Sequence, residues 1–124
     1  MKKLLFACLI LSLVAGCSKS KEIQFCEGVS PSGEGVNCGT RFEDGELTAV
    51  INSREPFGMK TITVQVFEIR GSKTEKIETI TVNVKPDKQT ASVNLALYSG
   101  GRYIVRAYKK DTGIGSAEIT IEER

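Results

Sequence analysis

The chain has 124 residues, with 17 Lys and Arg against 15 Asp and Glu, and neither histidine nor tryptophan. Without histidine it lacks the side chain whose ordinary pKa suits acid–base work near neutrality. That excludes Ser-His-Asp triads, Cys-His pairs and histidine-based zinc sites. The near-balanced charge offers no clustered basic face, so no nucleic acid is expected as a partner.

Met1-Lys2-Lys3 makes a positive start, Leu4 to Ala15 runs uncharged, and small residues precede Cys17. This is the layout of a secretory signal. As a helix, the uncharged run would reach only about 18 Å, short of the roughly 30 Å hydrocarbon layer, so it does not read as a membrane span. Val14-Ala15-Gly16-Cys17 resembles the lipobox of bacterial lipoproteins. The resemblance implies cleavage before Cys17, a diacylglyceryl group on its thiol and acylation of the new amine. Cys17 is then the lipid attachment residue and the membrane a partner. One acyl chain holds a protein marginally, whereas several hold it firmly. In families of this kind an Asp after the cysteine favours inner-membrane retention, so Ser18 implies the outer membrane instead. The expected division is a cleaved leader over 1–16, a lipidated tether over 17–24 and a folded domain over 25–124. Removing the leader takes Lys2 and Lys3 with it and leaves 108 residues, 15 of them basic and 15 acidic. That is one domain's worth of chain.

Of four cysteines, Cys8 lies in the leader and Cys17 is assigned to lipid. Cys26 and Cys38 remain, in a compartment where disulfides persist. A disulfide between them is favoured over two free thiols, and a metal site is the poorest reading in a chain without histidine. Closing such a loop stabilises by about 3 kcal/mol on the chain-entropy model. Gly28, Ser30, Pro31, Ser32, Gly33 and Gly35 predict little regular structure between the two cysteines.

From residue 46 onward, alternation of period two predicts strands. Leu47, Ala49 and Ile51 share one face of the first, and Asn52 to Gly58 interrupts it. Ile62, Val64 and Val66 mark a strand over 61–70, and Gly71-Ser72-Lys73 a turn. Ile80, Val82 and Val84 follow, closed by Lys85-Pro86-Asp87. Ala91, Val93, Leu95 and Leu97 then lead to Ser99-Gly100-Gly101. Tyr103, Val105 and Ala107 end at a turn over 109–113, and Ala117, Ile119 and Ile121 finish the series. That makes six strands, with a seventh expected within 24–42. Short strands separated by turn signals imply an all-β sandwich or barrel.

Leu97-Tyr98-Ser99-Gly100-Gly101-Arg102-Tyr103-Ile104-Val105 is similar to the Leu-x-x-Gly-x-x-Tyr-x-Val stretch of immunoglobulin-like and fibronectin type III domains. The resemblance implies an immunoglobulin-like sandwich of about seven strands, with Tyr103 bonding back to backbone at a corner. It carries architecture only, since the chain has no tryptophan and its cysteine pair lies outside the later strands.

The available chemistry is sparse. Glu43, Asp44 and Glu46 could serve carboxylate catalysis, but beside Gly45 they read as solvated caps of a turn. Gly28, Gly33 and Gly35 lack the strand and helix that a phosphate cradle needs. Asp111-Thr112-Gly113 lacks the repeated donors of a calcium loop. No metal and no cofactor is expected. If Ile62, Val64, Val66, Tyr103 and Val105 face the core, then Phe67, Ile69, Ile104 and Tyr108 face outward as a partner-binding patch, joined by Val50 if its strand pairs in the matching sense. The preferred expectation is that residues 22–42 fold over that face. The expected function is a lipid-anchored envelope binding or accessory module, not an enzyme, with an envelope protein as partner. The alternatives are an inhibitor presenting the 26–38 loop and a carboxylate-based hydrolase.

Overall fold

Apolar residues at every second position make faces that must be buried against another sheet, and two sheets do so here. The computed structural model describes residues 22–123, so the leader and Cys17 lie outside the described residues. Among those described, the chain forms nine strands: β1 (Ile23–Val29), β2 (Gly35–Gly39), β3 (Arg41–Glu43), β4 (Gly45–Asn52), β5 (Thr61–Arg70), β6 (Lys73–Asn83), β7 (Thr90–Leu97), β8 (Gly101–Lys109) and β9 (Thr112–Glu122). One sheet has the order β2-β1-β4-β7, the other β3-β9-β8-β5-β6. Neighbours are antiparallel except β3 and β9. With β1, β4 and β7 in one layer and β5, β8 and β9 in the other, the connections follow the immunoglobulin-like sandwich.

The inner faces meet as the alternation predicts. Leu47, Ala49, Ile51, Leu95 and Leu97 from one sheet pack with Ile62, Val64, Val66, Tyr103, Val105, Ile119 and Ile121 from the other. Each fully buried aliphatic chain contributes about 1.5–3 kcal/mol. Tyr103 also fulfils its expected role: its hydroxyl donates to the Ser99 carbonyl at 2.7 Å, four residues upstream. The loop after β4 adds a core residue that periodicity does not flag. Phe57 is 1% exposed, and its amide donates to the Lys88 carbonyl at 2.9 Å while the Gly58 amide donates to Pro86 at 2.9 Å. The β4–β5 and β6–β7 loops thus zip together over an aromatic plug.

The sandwich is the one expected, but its strands number nine where about seven were expected, and the first of them starts at Ile23, just ahead of residue 25. Both differences arise in the segment before β4. There Cys26 and Cys38 stand directly opposite each other in an antiparallel ladder, so pairing organises a glycine-rich stretch that has almost no alternation of its own. The disulfide itself forms as expected. The three-residue β3 is too short to show any period, and its parallel pairing with the end of β9 defines it.

The β1–β2 hairpin also bends back over its own sheet. Val50 alternates with the core residues Ala49 and Ile51, so it points away from the core, yet it is 3% exposed. Cys26 and Thr48, on the same outer face, are buried too. The hairpin tip at Ser32, Gly33, Glu34 and Gly35 lines one concavity with Gln24, Val50 and Asn52. Gly35 makes this return possible. A Cβ there would lie 2.6 Å from the Cys38 sulfur and closer still to that of Cys26. Only a residue without a side chain fits over the crosslink.

Candidate functional sites

Three surfaces could carry function. The first is the outward face of β5 and β8. Phe67 pairs directly with Ile104, and Ile69 pairs with Arg102, which places Ile69 diagonal to Ile104. These three form a small apolar cluster. Tyr108 pairs with Thr63 and stands apart, separated from the cluster by the Gln65–Arg106 pair. All four predicted residues are half-buried. The Arg106 guanidinium lies 4.9 Å from the centre of the Phe67 ring, a cation–π contact that caps the cluster on one side. On the other side Arg102 donates to Glu118 at 2.8 Å. The hydrogen bond and charge of Glu118 raise the Arg102 pKa above its ordinary value, and Arg102 in turn holds the Glu118 carboxyl below its own.

The expected cover does not lie here. Residues 23–39 pair within the four-stranded sheet, and β3 sits at the far edge of the other sheet beside β9. What the segment covers is the opposite outer face, with Val50 beneath it. Val50 therefore does not join Phe67, because the two residues lie in different sheets. Periodicity shows that Val50 points outward from its strand but not which layer that strand belongs to.

The second surface is the stapled hairpin. Residues 30–34 turn tightly: the Ser30 amide donates to the Glu34 carbonyl at 2.7 Å, and the Gly33 amide to the Ser30 carbonyl at 2.8 Å. Asn37, with a positive φ of 53°, donates through its side chain to Glu27 at 2.9 Å. The 26–38 segment is thus a folded-back hairpin, not the irregular loop its composition suggested.

The third surface is a groove of about 790 Å³ at the point where the chain leaves β2, joins β9 as β3 and returns as β4. Glu27, Glu43, Asp44 and Glu46 line it, with Arg41. Arg41 donates to Glu122 at 2.6 Å, so its charge is directed to the neighbouring strand. One Asp44 carboxylate oxygen is buried without a hydrogen-bond partner. The sequence brings Glu43, Asp44 and Glu46 together as turn neighbours, but the crossing of the chain between sheets adds Glu27 and the concavity. No group of acids or cysteines suited to a metal ion occurs among the described residues.

No known protein family's profile matches the chain. A relative by sequence is the cleavage and polyadenylation specificity factor subunit 1 of Drosophila melanogaster, 31% identical over 81 residues. The match covers 63% of this chain and 5% of that protein, so the chain spans a small fraction of that relative's length. Among solved structures, a superoxide reductase (neelaredoxin) from Ignicoccus hospitalis aligns with 69% of this chain and 76% of its own at 13% identity and a TM-score of 0.39.

Proposed function

We infer that this protein is a bacterial lipoprotein, an immunoglobulin-like module held on the envelope by acyl chains at Cys17, which binds another envelope protein instead of catalysing a reaction. The observation that carries the reading is the Val14-Ala15-Gly16-Cys17 motif after a charged start and an uncharged run. Only five residues lie between Cys17 and Ile23, and the six steps reach about 20 Å at most. An anchored domain would therefore ride close to the bilayer.

The charge distribution supports that placement. β1 starts at the end of the sandwich where the loops over 53–60, 84–89 and 110–111 lie. That end holds Arg54, Lys60, Lys85, Lys88, Lys109 and Lys110 against Glu22, Glu55, Asp87 and Asp111, and the tether adds Lys19 and Lys21. The far end carries Glu43, Asp44, Glu46, Glu68, Glu75, Glu122 and Glu123 against Arg41, Arg70, Lys73, Lys76 and Arg102, a small acidic excess. A basic end beside the tether suits an anionic lipid surface. On this reading the outer membrane is the destination, and the Phe67, Ile69 and Ile104 cluster faces a protein partner.

The test combines two measurements. Cys17→Ser should abolish leader processing and move the protein out of the membrane fraction; unchanged processing and fractionation would remove the lipoprotein reading. A photo-crosslinker at Ile104 should capture a discrete envelope protein, while one at the exposed Thr81 of the same sheet should not. Equal labelling from both positions would remove the assigned contact face.

A carboxylate hydrolase is the second reading, favoured by the Glu27, Glu43, Asp44 and Glu46 groove and the unpartnered Asp44 oxygen. Glycoside hydrolysis needs two carboxyl groups flanking one bond. Turnover of envelope glycan by the native protein, lost on Asp44→Asn with folding intact, would establish it; no turnover would remove it.

A further inference from the structure

A sandwich of two open sheets has four edges, and unpaired strand edges invite pairing with another chain unless they are blunted. Three of the four are blunted here. β3 has three residues. β2 carries glycines, the positive φ of Asn37 and the disulfide. β6 carries Lys73, Glu75, Lys76 and Glu78, and its ladder with β5 is interrupted by a register shift between Val66 and Phe67.

β7 has none of these devices. Its sequence, Thr90 to Leu97, contains no charge, proline or glycine, and it pairs with β4 in unbroken register along all eight residues. No strand among the described residues pairs with its other side. At that side the sandwich is incompletely closed: Ala91 and Val93 of β7, and Ile80 and Val84 of the opposing layer, are core-packed but only partly buried.

We propose that β7 is a self-association edge, pairing antiparallel with β7 of a second copy of this chain to join two four-stranded sheets into one. The choice of a second copy follows from self-complementarity. Antiparallel partners must present side chains to the same face, so the two residue numbers in each pair share parity. A two-fold axis at Val93 sets Val93 on Val93, Ala91 on Leu95 and Ser92 on Asn94. Apolar meets apolar on the inner face and small polar meets small polar outside. The same register, continued past the strand ends, brings Lys88 opposite Tyr98. Tyr98 is the most exposed large hydrophobic residue among those described, at 61%. Its hydroxyl donates toward Glu46 at 3.4 Å. The ammonium of Lys88 would meet a ring face and a carboxylate, twice in each dimer, with no like charges opposed. The interface is isologous, as a two-fold pair requires.

The test uses purified full-length chains with wild type as background. A Ser92→Cys chain mixed with an Asn94→Cys chain should give a disulfide-linked dimer on mild oxidation, because the two positions lie directly opposite. Ser92→Cys alone should link far less, since its diagonal spacing of about 7–8 Å exceeds disulfide reach. Linkage no greater in the mixture than in either single variant, or linkage only to a protein of different mass, would overturn the proposal. A Ser92→Lys/Asn94→Lys double variant places Lys opposite Lys on an exposed face. It should lose the concentration-dependent dimer of the wild type in sedimentation while staying folded, and an Asn94→Ala control, which also lacks the hydrogen bond from the buried Thr48 hydroxyl, should keep the dimer; a dimer retained in the double variant would refute the assigned edge. Antiparallel pairing sets the two tethers and basic ends at opposite ends of the dimer, so a doubly anchored pair lies with its strands along the bilayer and not on its basic end; the test needs no lipid at Cys17, so its failure and that of the anchor reading are distinguishable.

Discussion

Tyr103→Phe removes one oxygen and leaves the ring in place, so it isolates the bond that turns the corner into β8. The hydroxyl is held 2.7 Å from the Ser99 carbonyl, and Tyr103 is 3% exposed. A net hydrogen bond contributes about 0.5–1.5 kcal/mol, and more when its loss strands a buried partner. Ser99 is exposed, so water can replace the lost donor, and the expected loss is about 1 kcal/mol. For a domain of this size that lowers the melting temperature by about 4–8 °C. A pH scan gives a second readout. Burial, then the charges of Glu68 and Glu123, raise the Tyr103 pKa above its ordinary 10.0, against a smaller opposing effect of Arg70. An acid whose pKa is raised by folding ionises first in the unfolded chain. Its stabilising contribution is thus complete below about pH 10 and falls as pH rises toward the raised value. Urea denaturation across alkaline pH should show a loss in wild type that is smaller in Tyr103→Phe. An unchanged melting temperature together with an identical alkaline profile would refute the corner's energetic role.

Phe57→Ala should cost about 3–5 kcal/mol, because an aromatic plug cannot be replaced by collapse of two zipped loops; urea unfolding measures it. Reduction of Cys26–Cys38, or a Cys26→Ser/Cys38→Ser double variant, should lower stability by about 3 kcal/mol and expose Val50 and Thr48 to amide exchange before the central strands. Gly35→Ala should destabilise the oxidised protein, read by melting, and by less after reduction frees the two sulfurs that its methyl group would strike. Arg102→Ala should return the Glu118 carboxyl toward its ordinary 4.5, followed by carboxyl NMR titration. In wild type that group's contribution is present above about pH 4.5 and is lost as pH falls through its lowered pKa, and the variant should lose this dependence.

Much of the sandwich is legible in the chain because its central strands are long and half-buried. β5 spans Thr61–Arg70, the same bounds that alternation gives, and Ile62, Val64 and Val66 point inward as it requires. Tyr103 was legible for a different reason: a corner bond needs a glycine turn and a tyrosine at a short, fixed spacing. β2 and β3 were not, since one is ordered by a crosslink and the other by three residues of parallel pairing. The acidic groove was half legible. Glu43, Asp44 and Glu46 are sequence neighbours, but Glu27 joins them only where the chain crosses from one sheet to the other.

What the sequence settled alone was local: a period of two, the turn residues, one cysteine pair, and the catalytic residues the chain does not contain. Each of these depends on covalent neighbours or on composition, so each can be read without coordinates. The tertiary structure decided which layer each strand joined. That choice put Val50 beneath a hairpin, left Phe67 and Ile104 on the opposite layer, and made β7 an unguarded edge. Alternation fixes the direction of a side chain relative to its own strand, but contacts distant in sequence determine what lies on either side of it.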